Sequence, residues 1–483
     1  MPLRNQIPDN RAQFPDPILG VNLNDAVEDV VRGQALLMKN TIRDGGVVTR
    51  PGSQRLTGTQ IAASLGVRGG HKFYYGSSFA KRLIAYGTKV SVISDVGVET
   101  ELTSGMTNDQ DTHFTTWSIQ DKVYIANNTD ELQEYDGTTF QSVSANASSA
   151  NVPGNGGNAA AKQLVAISDR LLAITENGIE RTDARVGHIW SNQSTWATFQ
   201  PSSVGPFTAM IPHSLQSAQG DITEGVIAFQ ANAYYFIKGT DFGTDVTAGA
   251  PSSGENSSID IIDPNVGTSS PYSVVSVPGV GIFFVTSDLN IFFIPFGRVR
   301  GEFVGDNIRS TRDVDGIESV NPLAVSQVWM SYFDRRLMVG LPLNNDLYAS
   351  RQYWLDMRSF VKNQDLGPVW NGPMDGQTVS RVWVENQNGD NKLYGGEGNT
   401  GTGIFVYRLR VPRRFTDAVG TADTAVDFEY QTYLKTFGAP SRSKYIQSVE
   451  LELNNYDGDA TLDVRDLRST VASNLPIHSV VEE

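Results

Sequence analysis

The sequence predicts an all-β protein, a β-propeller of six or seven four-stranded blades with a short helical N-terminal arm and a small C-terminal β element. Short runs of Val, Ile, Tyr, Phe and Thr alternate with Gly, Asn, Asp and Ser clusters along most of the chain. A turn-then-strand unit also recurs, and helical periodicity is confined to one stretch near the start. We expect the arm over residues 1–44, the propeller over 45–411 and the C-terminal element over 412–483.

The arm contains the one predicted helical stretch, from Gly20 to about Thr41. Asn24 or Asp25 can cap its start, and a stripe of apolar residues runs to Met38 before a glycine turn ends it. Gly33 lies in the middle and lowers helix stability, so the stretch also fits two short helical pieces.

The recurring unit predicts the propeller. Each copy is a small turn, often with Asp beside Lys or Arg, followed at once by an apolar strand. The copies are Ala80–Tyr86, Gln120–Ile125, Ser168–Ile174 and Phe333–Val339, with looser ones at Ala231–Ile237, Val280–Val285 and Asp390–Tyr394. Arg82 and Lys122 are 40 residues apart and Lys122 and Arg170 are 48 apart, which fits blades that repeat about every 40–50 residues. The alternative is a β-sandwich or an irregular multi-sheet protein.

The pattern changes after Arg413. Val426–Leu434 and Ile446–Leu453 alternate cleanly between apolar and polar residues, and a turn then precedes Ala460–Val464. These strands fall outside the repeat and make up the predicted C-terminal β element.

Composition excludes several classes of protein. The chain has 483 residues, and 38 Lys+Arg against 53 Asp+Glu give a net charge of −15, which excludes a basic protein that wraps nucleic acid. It has no Cys, so disulfides, thiolate metal sites and cysteine nucleophiles are excluded together. Its apolar runs are too short to cross a bilayer, so we expect no membrane span.

The search for catalytic motifs gives no candidate residues. Gly396–Gly401 matches G-x-G-x-x-G, but a strand-like run follows it where a dinucleotide site requires a helix. The five histidines lack metal-ligand spacing, and the sequence has no P-loop or nucleophile elbow. We therefore expect a protein that is not an enzyme and that uses no cofactor and no metal.

One local run is more specific. Asn40 is followed by a turn at Gly45 and Gly46 and then by Arg50-Pro51-Gly52. This run resembles the N-terminal signature of the tail nozzle (tail tubular) proteins of short-tailed bacteriophages, which enter their first blade through an Arg-Pro-Gly turn. Two further stretches, at residues 186–199 and 428–450, are similar to that family, and the three together cover about a tenth of the chain.

The resemblance implies a structural protein of the phage tail, made in the host cytoplasm. It implies a homo-oligomeric ring, usually a hexamer, that docks to the head-tail adaptor or portal complex and to tail fibre or spike proteins. Viral DNA would pass through the ring without sequence-specific binding, because an acidic lumen offers phosphates no cationic partners. In such a ring, a set of arginines would lie at contacts with other subunits or with the adaptor. The alternative is that they belong to ordinary solvated surface. They are Arg298, Arg300, Arg335, Arg336, Arg413 and Arg414.

Two other functions remain open for a propeller of this kind. One is a tail-associated glycan hydrolase or depolymerase, which would cluster acids and aromatics at one face of the propeller. The other is a receptor-binding tail-tip protein, which is more often a trimer than a six-fold ring.

Overall fold

The computed structural model contains seven four-stranded antiparallel sheets. It describes residues 17–25, 30, 32, 34–43, 47–57, 61, 66–76, 79–190, 205–216, 222–238, 258–309, 316–362, 367–387, 389–398, 404–419, 422–432, 463–464 and 473–474. Contacts divide the chain into two compact units, Met1–Leu434 and Lys435–Glu483. The seven sheets all belong to the first unit, and the predicted propeller is confirmed with seven blades.

Blades 1 to 6 are meanders whose four strands follow one another along the chain. The strands of blade 1 are Gly69–Tyr75, Phe79–Tyr86, Lys89–Ile93 and Glu99–Thr103, and those of blade 2 are His113–Trp117, Lys122–Ala126, Gln133–Tyr135 and Phe140–Ser142. The strands of blade 3 are Gln163–Ile167, Arg170–Thr175, Gly178–Asp183 and Val186–Trp190, and those of blade 4 are Ala209–Gln216, Ile222–Phe229, Tyr234–Lys238 and Ser258–Asp263. The strands of blade 5 are Val274–Val277, Gly281–Val285, Ile291–Pro295 and Glu302–Phe303, and those of blade 6 are Trp329–Phe333, Arg336–Leu341, Arg351–Asp356 and Trp370–Met374.

Blade 7 is completed by the N-terminal part of the chain. Its first three strands are Val379–Gln387, Asp390–Glu397 and Val406–Leu409, and its outermost strand is Gln54–Arg55. Tyr407 pairs with Arg55 and Arg408 with Gln54 in antiparallel register. The first and last parts of the ring are therefore joined within one sheet.

The blades are arranged as a closed ring. The first strand of each blade contacts the first strand of the next, and that of blade 7 contacts that of blade 1. Among the described residues, seven buried apolar clusters fill the seven junctions between neighbouring blades. Stacking therefore buries both faces of every sheet, which a single small sheet cannot achieve alone.

The junction between blades 7 and 1 also holds a buried ion cluster. Arg82 Nε donates to Glu385 Oε1 at 2.5 Å and Arg82 Nη2 donates to Glu385 Oε2 at 2.8 Å. Lys72 Nζ lies 3.4 Å from the same carboxylate. The guanidinium of Arg82 also stacks over Tyr394, 4.3 Å from the ring centroid. Two cations and one carboxylate thus link the blades that close the ring.

The predicted helix in the arm is wrong: Val21 near its start forms a β-bridge with Ala35, and its C-terminal half consists of strands. Ala35–Lys39 and Thr41–Arg43 are strands, which pair with Glu429–Thr432 and Val47–Thr49 respectively. Consecutive apolar residues here fit a strand buried on both faces as well as they fit a helical stripe. The arm packs against Trp370–Met374, the outermost strand of blade 6, which is buried throughout. Residues 26–29, 31 and 33 of the predicted helix lie outside the described residues.

Short β elements follow the last blade. Thr416–Val419 and Ala422–Ala425 form a hairpin, and Glu429–Thr432 lies inside the predicted strand Val426–Leu434. The second unit contains one described pair of short strands, Asp463–Val464 and Ser473–Asn474. The predicted strand at 446–453 lies outside the described residues.

Helical structure is sparse in the described part of the chain. Its α-helix is Met357–Lys362, between the third and fourth strands of blade 6. Its 3-10 helices are Val143–Ala145, Pro271–Ser273, Asp306–Ile308, Ile317–Ser319 and Pro322–Gln327.

Candidate functional site

Residues of the signature run meet in a buried cluster outside the propeller core. Asn40 and Arg50 are both buried there, and Pro51 and Gly52 lead on to the outermost strand of blade 7. We call this the Arg50 cluster, made of Asn40, Arg50, Ser53, Asp375, Gln377 and Asp417. The glycine turn at 45–46 lies outside the described residues.

Arg50 is the centre of this cluster. Its Nη1 donates to Asp417 Oδ1 at 3.1 Å, and its Nη2 donates to Asp417 Oδ2. Its Nε donates to Asn40 Oδ1 at 2.9 Å, and Nη2 also donates to the Asp375 carbonyl. Because a guanidinium offers five fixed donors, one side chain can hold three chain segments at once.

Asn40 occupies a backbone position that few other residues tolerate. Its φ is +52°, in the left-handed region where Asn and Gly are favoured. Its Oδ1 also accepts from the Asp375 amide at 2.8 Å, and its Nδ2 donates to the Asp427 carbonyl at 2.6 Å. Backbone shape and side-chain chemistry both explain why Asn stands at this position.

Gly52 is required by a close backbone approach. A Cβ at this position would lie 2.1 Å from the Thr416 carbonyl oxygen, and the Gly52 amide donates to the Arg414 carbonyl at 2.6 Å. The Arg-Pro-Gly turn therefore lies directly against the C-terminal hairpin. Sequence reasoning found Asn40, Arg50 and Gly52 but missed Asp417 and Asp375, since no local pattern marks a partner that far along the chain.

A second polar cluster lies on the propeller axis. Asp111, just before the first strand of blade 2, accepts from Arg381 of blade 7, and from Gln327 Nε2, just before blade 6, at 2.9 Å. Arg68, just before blade 1, lies 3.5 Å from Asp111 and pairs with Asp109. Since blades 2 and 6 are not neighbours, these side chains meet only across the axis. We call this group the axial cluster.

Aromatic side chains complete the axial cluster. The Arg381 guanidinium stacks on Tyr272 of blade 5 at 3.7 Å from the ring centroid, and Arg68 lies over Tyr348 at 5.3 Å. Burial raises the pKa of Tyr272 to about 12, so its hydroxyl stays protonated at neutral pH. Ion pairs and stacked rings from five blades therefore close the axis at the end where the first strands begin.

Two histidines lie on the first strands of blades 1 and 2. His71 Nε2 is 2.7 Å from Thr116 Oγ1, and the His71 ring stacks on Phe114. Burial lowers the pKa of His71 to about 4, and burial with the nearby His71 lowers the pKa of His113 to about 4. Both imidazoles are therefore neutral at physiological pH.

The basic positions singled out in the sequence have different surroundings. Arg298, Arg300, Arg335 and Arg413 are exposed, and Arg414 pairs with Asp423 at 2.7 Å. Arg336 is buried and lies 3.5 Å from Asp334, so it is not a surface residue. Arg336 is therefore removed from the expected subunit or adaptor contacts.

The described ranges contain neither a cluster of metal ligands nor a membrane-spanning helix. Within them, no three His, Asp or Glu side chains converge as metal ligands. None of the helices in the same ranges is long and apolar enough to span a bilayer.

No protein-family model matches the sequence, and no curated protein matches it either. Several solved structures are similar to the chain at low identity. The WD40 β-propeller domain of Doa1 is 8% identical, with a TM-score of 0.39 over 74% of this chain and 97% of that domain. BBS1N, solved in complex with ARL6DN, is 10% identical, with a TM-score of 0.42 over 76% of this chain and 99% of that chain. YCF48 from Cyanidioschyzon merolae is 10% identical, with a TM-score of 0.39 over 74% of this chain and 98% of that chain.

Proposed function

We propose that the chain is a structural virion protein of a short-tailed phage. In this proposal it forms a homo-oligomeric ring, a hexamer, in the tail, where it is a nozzle for DNA retention and ejection. It docks to the head-tail adaptor and to other tail proteins, and it catalyses no reaction. The DNA passes through without sequence-specific contacts.

The observation that carries the proposal is the Arg50 cluster. The residues that give the resemblance to tail nozzle proteins are more than a common turn, because Asn40, Arg50 and Gly52 each have a specific structural task. An unrelated Arg-Pro-Gly turn needs neither a buried ion pair to Asp417 nor an Asn at positive φ. The run therefore acts as one unit, as a family signature does.

The axial cluster supports a DNA path outside the propeller in this proposal. The propeller axis is closed at one end by side chains of five blades, so the propeller itself offers DNA no passage. The proposed path runs instead along the axis of the ring, between subunits. A net charge of −15 on each subunit repels phosphates and limits their adhesion to the lumen.

The test has two parts. Light scattering of the purified protein and averaged negative-stain images should give a six-fold ring with a central opening. Antibodies against the chain should label the tail of intact virions, below the head. A stable trimer, or release of sugars from a host surface glycan, would overturn the proposal in favour of receptor binding or glycan cleavage.

A further inference from the structure

A cleft of about 370 Å³ lies on the side of the propeller opposite the axial cluster. Its walls come from blades 3, 4 and 5, toward the ends of their first strands, whereas the axial cluster lies where the first strands begin. Pockets that take small ligands measure about 300–1,000 Å³, so this volume suffices for one. We call it the blade 4 cleft, and its polar and aromatic lining consists of Ser168, His213, Ser214, Glu224, Ser276 and Phe296.

Phe296 gives the blade 4 cleft an exposed aromatic face. The residue is 53% exposed, although large aromatic side chains are normally buried. Its amide donates to the Val280 carbonyl at 2.8 Å, which fixes the backbone of this residue in blade 5. The buried side chains of Ile167 and Val277 add apolar wall. A ligand with an apolar face can therefore pack against the ring.

Glu224 supplies a carboxylate from blade 4. Its Oε2 accepts from Ser168 Oγ at 2.9 Å, so the first turn of blade 3 holds the side chain of the second strand of blade 4. In the described part of the chain no cationic side chain pairs with this carboxylate. Because a carboxylate accepts at both oxygens, Oε1 is left as an acceptor for a ligand.

His213 adds a neutral imidazole to the cleft. Its Nε2 lies 2.6 Å from the Arg298 carbonyl, which can only accept, so Nε2 carries the proton and Nδ1 is an acceptor. Burial lowers the pKa of His213 below its ordinary value, so the ring is neutral at physiological pH. The hydroxyls of Ser214 and Ser276 both donate and accept. The cleft thus offers donors and acceptors from three blades.

The charges of the lining select against an anionic ligand. Among the described residues, Glu224 is the one acidic side chain that lines the cleft, and no Lys or Arg side chain lines it. Asp169, next to Ser168 in the chain, lies outside the lining and is 4.0 Å from Arg170 Nε. An anion would meet a carboxylate there without a cation of its own. A single ammonium group would reach few of the hydroxyls, because they are spread over three blades.

We propose that the blade 4 cleft binds a neutral oligosaccharide. A sugar ring has an apolar C–H face that packs on Phe296. Its hydroxyls can donate to the acceptors of Glu224 and His213 and can accept from the serines. This site lies within one subunit, so the inference goes beyond the proposed function and does not depend on the oligomeric ring.

The blade 4 cleft binds the sugar without cleaving it. Glycoside hydrolysis uses a pair of carboxyl groups on either side of the scissile bond. Among the described residues, Glu224 alone supplies a carboxyl group to the lining. The cleft is therefore a binding site and not a hydrolase site.

The first test is an array of oligosaccharides probed with the labelled full chain. The array carries neutral oligosaccharides of glucose, galactose, mannose, rhamnose and N-acetylglucosamine, and matched versions that carry a sulfate or a uronic acid. We expect binding to at least one neutral oligosaccharide and weaker binding to its acidic version. Binding to none of the neutral oligosaccharides, or stronger binding to the acidic versions, would overturn the proposal.

Variants locate the site. Phe296→Ala and Glu224→Gln should each raise the dissociation constant for the best oligosaccharide of the array roughly tenfold or more, measured by titration calorimetry. Phe303→Ala and Glu302→Gln are the matched controls, because both residues are exposed on blade 5 but lie outside the cleft. All four residues are exposed, so the fold should survive each change, and thermal unfolding checks this. Equal affinities in the cleft variants and the controls would overturn the assignment to this cleft.

Mass spectrometry of the oligosaccharide after long incubation gives the last readout. The sugar should be recovered intact, and shorter products that disappear in Glu224→Gln would show a hydrolase site instead. These results are separate from the proposed function. A six-fold ring without sugar binding leaves the nozzle proposal standing and removes the cleft proposal, and sugar binding by a protein that forms no ring does the reverse.

Discussion

Arg50 and Asp417 form a buried two-point ion pair although 367 positions separate them in the chain. One residue precedes the propeller and the other follows it. The pair therefore fixes the segments on either side of blade 7 against each other, next to the strand pairing that completes the ring. A short run that resembles a family signature thus takes part in holding the fold closed.

The first prediction concerns that ion pair. Asp417→Asn removes the counter-charge of a buried guanidinium, and we expect the free energy of unfolding to fall by about 3–5 kcal/mol. Urea denaturation followed by tryptophan fluorescence measures it. The control is Asp427→Asn, which breaks the exposed pair with Lys39 and should change stability by less than about 1 kcal/mol. Similar losses in the two variants would contradict the role given to Asp417.

The second prediction concerns Gly52. A Cβ there would lie 2.1 Å from a backbone oxygen of the C-terminal hairpin, and backbone moves less easily than a side chain. We expect Gly52→Ala to destabilise the protein by about 1–3 kcal/mol through this clash. Gly105→Ala is the matched control, since its nearest neighbour would be 3.7 Å away. Thermal unfolding checks both, and an unchanged midpoint for Gly52→Ala would refute the close approach.

The third prediction concerns the axial cluster. Asp111→Ala leaves Arg381 and Gln327 without their shared acceptor, and we expect a loss of about 1–3 kcal/mol. Hydrogen exchange should rise in the first strands of blades 2, 6 and 7, which Asp111 links. Asp288→Ala, on an exposed turn of blade 5, should change neither quantity. Exchange that rises evenly over the whole propeller would argue against a local link at the axis.

The fourth prediction concerns pH. His71 and His113 have pKa values of about 4 in the folded protein, below the ordinary value of 6.5. Between pH 4 and pH 6.5 the unfolded chain binds more protons than the folded protein does. The contribution of the two histidines to the free energy of unfolding is therefore complete above pH 6.5 and is lost as the pH falls toward 4. The slope of the free energy of unfolding against pH approaches the value for two protons. In the double variant His71→Gln with His113→Gln the slope between pH 6.5 and 5 should be reduced by that amount. Denaturation curves at several pH values measure it; equal slopes would exclude these histidines as the cause.

The repeat was readable from sequence because a blade is a local structure. Each of the seven predicted units falls in a different blade, and six of them are second strands. The exception is Ala231–Ile237, which falls on Tyr234–Lys238, the third strand of blade 4. The second strand of that blade, Ile222–Phe229, lacks the Asp-Arg turn that marks the others. The pattern predicts six or seven blades, of which the structure contains seven, and one of its units marks a third strand rather than a second.

The arm and the axial cluster could not be predicted from the sequence, because both depend on contacts between residues far apart in the chain. The run Ala35–Met38 has the spacing of a helical stripe, but pairing with Glu429–Thr432 and packing against blade 6 make it a strand. Similarly, nothing near Asp111 in the sequence indicates that side chains from five blades meet there. Local patterns carry no information about which side chains a closed ring brings to its axis.

The strand that completes blade 7 has a further consequence for biosynthesis. Gln54–Arg55 leaves the ribosome before every other strand of the ring, and its partner Val406–Leu409 leaves after all of them. Closure therefore waits until residues 406–409 have been synthesised, as expected for pairings of high sequence separation. A prematurely terminated chain keeps open sheet edges that favour aggregation and removal. The late pairing thus delays closure of the propeller until the strands of all seven blades have been synthesised.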